Sequence, residues 1–199
     1  MKIAAVILAA GRASRFDGGN KLLTHIGGRP LIRRVVEAVE AAPVGDIVVV
    51  TAADGDAILA AAGGGRWRGV VNVAAAKGLS SSLQAGLGAL SAEADGAMIV
   101  LADMPGMTPP LLAHLCHAFV RCNGQTIVFP QNDAGEQGNP VLWPRALFPA
   151  LLSLSGDAGG KSVLQAHREL WTPVSVENSA SFNDIDTRQD LERWVKDNS

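Results

Sequence analysis

The chain carries little net charge: its 199 residues include 17 basic and 19 acidic side chains, which gives −2 at pH 7. A general binder of nucleic acid or of membrane surfaces normally presents a strongly basic face, so this balance argues against both classes. It leaves room for one small anionic ligand in a local pocket. Hydrophobic residues make up 48 % and charged residues 18 %, which is typical of an ordinary globular protein rather than of a disordered chain.

Long apolar runs and cysteines are also scarce. No run reaches the ~18–20 residues that span a bilayer, so we expect no membrane segment. Segment 1–10 superficially looks like a signal peptide, but Gly11 and a polar loop follow it at once, which favours a buried strand. Cys116 and Cys122 lie six positions apart on a predicted helix, where neighbours are three or four apart, so we expect neither a disulfide nor a metal pair. A reducing, cytoplasmic setting is the expectation.

Short β-rich runs alternate with segments of helical periodicity along the chain. Strands are predicted at 3–9, 47–51, 70–73, 97–101 and 126–129, with shorter ones at 141–143 and 174–176. Helices are predicted at 31–39, 56–62, 79–90, 111–119 and 187–195. Continuous apolar strands separated by helices imply a mostly parallel sheet covered on both faces. With no repeat or linker in the sequence, we predict one α/β domain over 1–199, Rossmann-like, with three α/β/α layers.

The loop after the first strand combines three glycines with three cations, Arg12, Arg15 and Lys21. Small residues let backbone N–H groups approach a phosphate closely. Arg15 can bond phosphate oxygens in a bidentate way, and Lys21 supplies a compact charge, so together they can neutralise charge at the α-phosphorus of a nucleoside triphosphate. The alternative is a glycine-rich turn with solvated basic residues. Neither the P-loop pattern nor the dinucleotide fingerprint is present.

Asp103 stands two residues beyond the apolar strand 97–101. It should therefore lie at the carboxyl edge of the sheet, where ligands bind in open α/β folds. Mg²⁺ prefers one or two carboxylates together with phosphate oxygens, so Asp103 is predicted to be a metal ligand. The alternative is that Asp103 caps the turn before Pro105.

Further segments form a pattern when they are taken in chain order. They are Leu8-Ala9-Ala10-Gly11 followed by Arg15 and Lys21-Leu22-Leu23, then 77–83, 101–105, 138–142 and 156–161. Together they resemble the nucleotidyltransferases that act on sugar phosphates and on molybdopterin, and above all the molybdenum cofactor cytidylyltransferase branch. The resemblance covers nearly the whole chain. It implies a fold of the nucleotide-diphospho-sugar transferase (glycosyltransferase-A-like) type.

The resemblance also implies a reaction and its participants. CMP would pass from CTP to the phosphate of molybdopterin or molybdenum cofactor, pyrophosphate would leave, and Mg²⁺ or Mn²⁺ would serve as the cofactor. A molybdenum hydroxylase apoenzyme is implied as a further partner. A phosphate nucleophile is already ionised near neutral pH, so no histidine base is required. His114 and His117, three apart on a predicted helix, are accordingly expected on the surface rather than on a zinc ion.

The resemblance assigns roles residue by residue. Arg15, Lys21 and Asp103 would be catalytic. The nucleotide would contact Leu8, Ala10, Gly11, Arg12, Lys21, Gly78, Ser80 and Ser81. The second substrate would contact Asn139, Pro140, Gly156, Asp157 and Lys161, from two predicted binding loops at 131–139 and 153–161. One serine of 80–82 is also expected to N-cap its helix.

A second metal ligand is implied by segment 182–187, which is similar to an Asp-Ile-x-Thr element of sugar nucleotidyltransferases. Asp184 is the choice and Asp186 the reserve. The competing interpretation is that Asp186 or Thr187 simply N-caps the final helix, with Asp190 in its first turn.

Some positions depart from the family pattern. Ala13 stands where the family usually has serine, and Phe16-Asp17 where it has Met-Gly, while Lys161 replaces a more usual arginine. Segment 18–21 is closer to guanylyltransferases, but the Ala10 side chain would crowd a purine, so CTP is favoured over GTP. A guanylyltransferase or sugar-phosphate transferase, and a non-catalytic cofactor carrier, remain alternatives.

Overall fold

The computed structural model describes residues 1–11, 19–176 and 184–197. The strands are β1 (Ile3–Leu8), β2 (His25–Ile26), β3 (Arg29–Pro30), β4 (Ile47–Ala52), β5 (Arg68–Asn72), β6 (Gly96–Leu101), β7 (Ile127–Gln131), β8 (Val141–Pro144) and β9 (Trp171–Ser175). The helices are α1 (Leu31–Glu40), α2 (Asp56–Ala62), α3 (Leu79–Gly88), α4 (Pro109–Arg121), α5 (Phe148–Leu152), α6 (Lys161–Ala166) and α7 (Arg188–Asp197).

Seven strands form the main sheet, in the order β5-β4-β1-β6-β8-β7-β9. All neighbouring pairs run parallel except those of β8, which is antiparallel to β6 and to β7. Strands β2 and β3 form a separate short hairpin. The predicted α/β fold with a mostly parallel sheet is confirmed.

Each face of the sheet is covered by its own apolar layer. Alternate side chains of β1 point to opposite faces, so Ile3, Ala5 and Ile7 join one core, while Val6 and Leu8 join the other. Helices α1, α2 and α4 supply the first core, and α3, α5 and α6 supply the second. The arrangement is the three-layer α/β/α sandwich that the continuous apolar strands predicted. Among the helices of the described ranges, none is long and apolar enough to cross a membrane.

Two helix starts differ from expectation. Helix α3 is capped by the backbone of Gly78, and no serine side chain caps it, so the predicted serine N-cap is wrong. Before α7, the Thr187 hydroxyl accepts from the N–H of Asp190 at 3.2 Å, and the Asp190 carboxylate accepts from the N–H of Thr187 at 2.8 Å. This reciprocal pair is a capping box, which confirms Thr187 as the cap and leaves Asp186 free for another contact.

The spacing of Leu191, Trp194 and Val195 in the sequence predicts that all three side chains of α7 face inward. Leu191 and Trp194 rest partly buried against the first core, but Val195 is 39 % exposed, so the prediction is wrong for Val195. Of the cysteines, Cys116 is buried and Cys122 half-buried, and both are free thiols. His114 and His117 are exposed on α4, as predicted.

Candidate active site

Lys21 links two carboxylates at the carboxyl edge of the sheet. Its Nζ donates to Asp103 Oδ2 at 2.7 Å and to Asp186 Oδ1 at 2.8 Å. Lys21 opens a 3-10 turn, held by Asn20, whose side-chain oxygen accepts from the N–H of Leu22 at 3.0 Å. The Lys21 side chain is 12 % exposed, against 24 % for Asp103 and 46 % for Asp186. The ion pairs are therefore shielded on the lysine side and open on the carboxylate side.

The sheet register explains why these residues meet. Strands β1 and β6 are parallel neighbours, and Leu8 at the end of β1 is paired with Leu101 at the end of β6. Lys21 follows β1, and Asp103 follows β6, so both emerge at the same edge. The N–H of Ile185 donates to the Asp103 carbonyl at 3.0 Å, and Ile185 is buried, which brings the carboxylates on either side of it to Asp103.

The cluster carries more negative than positive charge in the described residues. Burial lowers the pKa of Lys21, but the hydrogen bonds and charges of Asp103 and Asp186 outweigh burial and raise that pKa overall. Partial burial, followed by the negative charges of Asp186 and Asp103, raises the pKa of Asp184. Asp103 Oδ1 is buried and has no hydrogen-bond partner among the described residues. We call Lys21, Asp103, Asp184 and Asp186 the carboxylate cluster.

A cavity of about 720 Å³ opens beside β1, β6 and β8. Its floor is apolar, with Leu8, Leu83, Ile99 and Trp143 among its lining residues. Its remaining lining comes from α6, Trp171 and the loop after β7. The polar members are Gln131, Glu136, Gln137, Asn139, Lys161 and Gln165. A cavity with an apolar floor and a few polar groups suits an organic ligand that also offers hydrogen-bonding edges.

The predicted second-substrate residues divide into two groups. Asn139 and Lys161 line the cavity, which also includes Leu8 from the predicted nucleotide set. Gly156 and Asp157 instead pack against Gly78, where an added Cβ would come within 2.5 Å of both. Pro140 is buried behind Asn139 and is joined to it by a cis peptide bond.

The predicted nucleotide residues also differ from one another in exposure. Ala10 is buried, and Gly11 is exposed, with no atom of the described residues within 4 Å of the position that a Cβ would take. Ser80 and Ser81 are buried, and their hydroxyls already hydrogen bond within the protein. Ser80 Oγ donates to the Gly156 carbonyl at 2.8 Å, while Ser81 Oγ lies 2.8 Å from the Gly78 carbonyl. A nucleotide role for these serines stays a prediction.

Some predicted residues lie outside the described ranges: Arg12 and Arg15, together with the family departures Ala13 and Phe16-Asp17. Sequence reasoning missed several cavity residues, above all Trp143 and Trp171, because each reads as an ordinary strand aromatic. It also held Asp186 only in reserve. The capping box at Thr187 and Asp190 was the signal that could have released Asp186 from the capping role.

Comparison with known proteins agrees with this geometry. The family model for the MobA-like NTP transferase domain matches residues 5–170. A "Nicotine blue oxidoreductase" of Paenarthrobacter nicotinovorans is 27 % identical over 97 % of this chain and 96 % of its own. A "Probable molybdenum cofactor guanylyltransferase" of Thermococcus gammatolerans is 29 % identical over 96 % of this chain and 97 % of its own.

Solved structures show the same fold. The crystal structure of Rv0371c from Mycobacterium tuberculosis H37Rv superposes with a TM-score of 0.84, at 23 % identity and over 98 % of both chains. A manganese complex of Rv0371c is also similar, with a TM-score of 0.80, 22 % identity and coverage of 98 % and 99 %. Because the family model spans most of the chain, including the end of β1, the loop that follows it and Asp103, this protein belongs to the MobA-like NTP transferase domain family.

Proposed function

We propose that this protein is a nucleotidyltransferase that moves CMP from CTP to the phosphate of molybdopterin or molybdenum cofactor, with release of pyrophosphate. The observation that carries the proposal is the carboxylate cluster, in which Lys21 joins Asp103 and Asp186 at the carboxyl edge of β1 and β6. The adjoining 720 Å³ cavity, lined by Asn139 and Lys161, provides room for a second substrate.

The described residues fit a divalent cation. Asp103 Oδ1 is a buried carboxylate oxygen without a hydrogen-bond partner among the described residues. The pKa of Asp184 is raised by partial burial and then by the charges of Asp186 and Asp103. Among the residues that the structure describes, no three His, Cys, Asp or Glu side chains form a ready metal site. Asp103 and Asp184 would hold Mg²⁺ or Mn²⁺ together with phosphate oxygens, as Mg²⁺ prefers, and the ion would neutralise phosphate charge. Asp186 remains the reserve ligand.

The reaction then needs positioning and charge rather than a general base. An oxygen of the acceptor phosphate forms a bond to the α-phosphorus of CTP, and the bond from that phosphorus to the bridging oxygen breaks, so pyrophosphate leaves with the electron pair. Lys21 is held charged by its two carboxylates and can turn towards phosphate oxygens when they arrive. Arg15 would add a bidentate contact to the same phosphates.

The choice of base depends on Ala10. This residue is buried two positions beyond β1. The family resemblance implies that a purine would lie over the backbone there, and the Ala10 side chain would crowd it. CTP is therefore proposed as the substrate, and GTP is the alternative. The Thermococcus relative is named as a guanylyltransferase, which points to GTP for that protein. The Paenarthrobacter relative is named as an oxidoreductase, which is a different class of enzyme. The proposal for this chain therefore rests on its charged site and not on the names of its relatives.

The test is release of pyrophosphate with Mg²⁺ or Mn²⁺ and molybdopterin, offering CTP, GTP, ATP and UTP in turn. We expect release with CTP at a rate at least ten times that with GTP. A preference for GTP would transfer the proposal to the guanylyltransferase class. Tight binding of molybdopterin without release from any nucleotide would replace the enzyme by a cofactor carrier.

A further inference from the structure

One carbonyl oxygen connects helix α3 to the loop that leads into the cavity. The Gly156 oxygen accepts two hydrogen bonds from Ser80, one from the backbone N–H at 3.1 Å and one from the hydroxyl at 2.8 Å. Ser80 is only 3 % exposed, so its hydroxyl faces this loop rather than solvent. We call residues 153–160 the acceptor loop.

Two neighbouring contacts fix the same loop. Gly78 has φ +102°, and a Cβ placed on it would come within 2.5 Å of Gly156 and of Asp157 Oδ1, so the two backbones touch. One turn after Ser80, Gln84 Nε2 donates to the carbonyls of Leu152 and Leu154 at 2.9 and 2.8 Å. Helix α3 therefore holds the acceptor loop at its start, through Gln84, and in its middle, through Gly78 and Ser80.

The far end of the acceptor loop forms part of the cavity wall. Gly159, Gly160 and Lys161 all line the cavity. A Cβ on Gly160 would lie 2.6 Å from Trp143 Cζ2, so the loop backbone packs directly on the aromatic floor. A shift at Gly156 would thus be passed along four residues to Gly160 and Lys161.

We propose that Ser80 is a positioning residue of the acceptor site: it holds the acceptor loop, and with it Lys161, in place. The proposal rests on the proposed function, because it names what the cavity does in that reaction. It differs from the role that the resemblance implied, in which the Ser80 hydroxyl contacts the nucleotide. The two roles can be distinguished by experiment. A hydroxyl that supports the loop affects binding of the second substrate, whereas a hydroxyl that contacts the nucleotide affects binding of CTP.

The experiment compares Ser80→Ala with Ser82→Ala, the same change two positions further along α3. The Ser82 hydroxyl accepts from Asn72 at 3.0 Å and Ser82 is as buried as Ser80, but in the part of the chain that the structure describes no hydrogen bond joins this hydroxyl to the acceptor loop. For Ser80→Ala we expect a rise of about ten-fold in the KM for molybdopterin, with the KM for CTP and kcat within about two-fold of wild type. Ser82→Ala should leave the KM for molybdopterin within about two-fold.

Hydrogen exchange in the ligand-free protein gives a readout that needs no activity. Two amides donate to carbonyls of the acceptor loop: that of residue 80 to Gly156 at 3.1 Å, and that of Leu164 to Gly160 at 2.9 Å. Both should exchange at least ten times faster in Ser80→Ala than in wild type or Ser82→Ala, and their exchange is the measure of how the acceptor loop is held. Gln84→Ala, which releases the start of the loop at Leu152 and Leu154, should shift exchange and the KM for molybdopterin in the same direction.

Other outcomes overturn the inference. A raised KM for CTP in Ser80→Ala, with unchanged exchange in the acceptor loop, would make Ser80 a nucleotide ligand. Unchanged exchange in both Ser80→Ala and Gln84→Ala would show that the loop is held by other contacts. A wild-type protein that releases no pyrophosphate would refute the proposed function, while faster exchange in Ser80→Ala would still establish that Ser80 holds the loop.

Discussion

The carboxylate cluster and the cavity lie at the same edge of the sheet, yet they are built by opposite means. The cluster gathers three chain segments through ion pairs, and its carboxylates Asp103 and Asp186 keep 24 % and 46 % of their side chains exposed. The cavity gathers strands, two helices and a loop around an apolar floor that includes Leu83, Ile99 and Trp143. The cluster is therefore defined by its charges, and the cavity by the shape of its apolar floor.

The two regions are therefore suited to different parts of the proposed reaction. A charged cluster can stabilise charge that develops during reaction, whereas an apolar cavity with amide groups selects and orients a substrate. Changes in the cluster should therefore act on kcat, and changes in the cavity should act on the KM of the second substrate.

The largest effect is expected from Asp103→Asn. The amide removes the charge that pairs with Lys21 at 2.7 Å, and it weakens any hold on a divalent cation. We expect kcat to fall by ~10²–10³-fold, the range seen when one charge-stabilising group is removed. Steady-state pyrophosphate release with CTP measures it. The matched control is Asp46→Asn, whose carboxylate pairs with Arg68 away from the cluster, and it should keep wild-type kcat within about two-fold. A kcat for Asp103→Asn within ten-fold of wild type would remove Asp103 from catalysis.

That Lys21 and Asp103 lie at one edge could be predicted from the sequence, because parallel neighbouring strands end at one edge. Asp103 comes just after the apolar strand β6, and Lys21 ends the glycine- and cation-rich loop that follows β1. The choice between Asp184 and Asp186 could not be made that way. It depends on the burial of Ile185 and on a backbone hydrogen bond to Asp103, which join residues 82 positions apart. The partner of the Ser80 hydroxyl could not be predicted from the sequence either, because Gly156 lies in a loop 76 positions further along the chain.

The next largest effect is expected on stability, from Lys21→Met. Without the ammonium, Asp103 and Asp186 face each other with no counter-charge from Lys21, which should cost ~1–3 kcal/mol, below the ~3–5 kcal/mol of a fully buried pair. Urea unfolding at pH 7 measures this loss. A variant as stable as wild type would show that Lys21 makes no net contribution to the free energy of unfolding.

The pH dependence of that loss has a definite sign. The pKa of Lys21 is raised in the folded state, so its stabilisation is complete below the unfolded lysine value of ~10.4 and is lost as pH rises through the folded pKa. The difference in unfolding free energy between wild type and Lys21→Met should therefore stay constant from pH 7 to 9 and shrink above ~10.4. A difference that shrinks on acidification towards pH 7 would contradict this assignment.

A smaller effect, on binding alone, is expected from Lys161→Ala in the cavity. Loss of one charge-assisted hydrogen bond to the acceptor phosphate should raise the KM for molybdopterin by about ten-fold, with kcat and the KM for CTP nearly unchanged. Lys77→Ala, which removes an exposed lysine outside the cavity lining, is the control and should change neither KM. A fall in kcat for Lys161→Ala equal to that of Asp103→Asn would break the division between cluster and cavity.

The smallest effect is expected from Glu37→Gln. Glu37 belongs to an ion-pair network on α1, away from the carboxylate cluster, and this network is a reference for the stability of the cluster. Glu37 bridges Arg33 at 2.7 Å and Arg29 at 2.8 Å, and the hydrogen bond from Arg33, helped by that from Arg29, lowers the pKa of Glu37. Its stabilisation is present above the unfolded glutamate value of ~4.3 and is lost as pH falls through the folded pKa. Because the pair is largely solvated, Glu37→Gln should cost only ~0.5 kcal/mol at pH 7 and nothing near pH 3, by urea unfolding. The two ion-pair networks thus fail at opposite ends of the pH scale, and a cost at Glu37 as large as that at Lys21 would show that the cluster is no more strongly coupled than an ordinary surface pair.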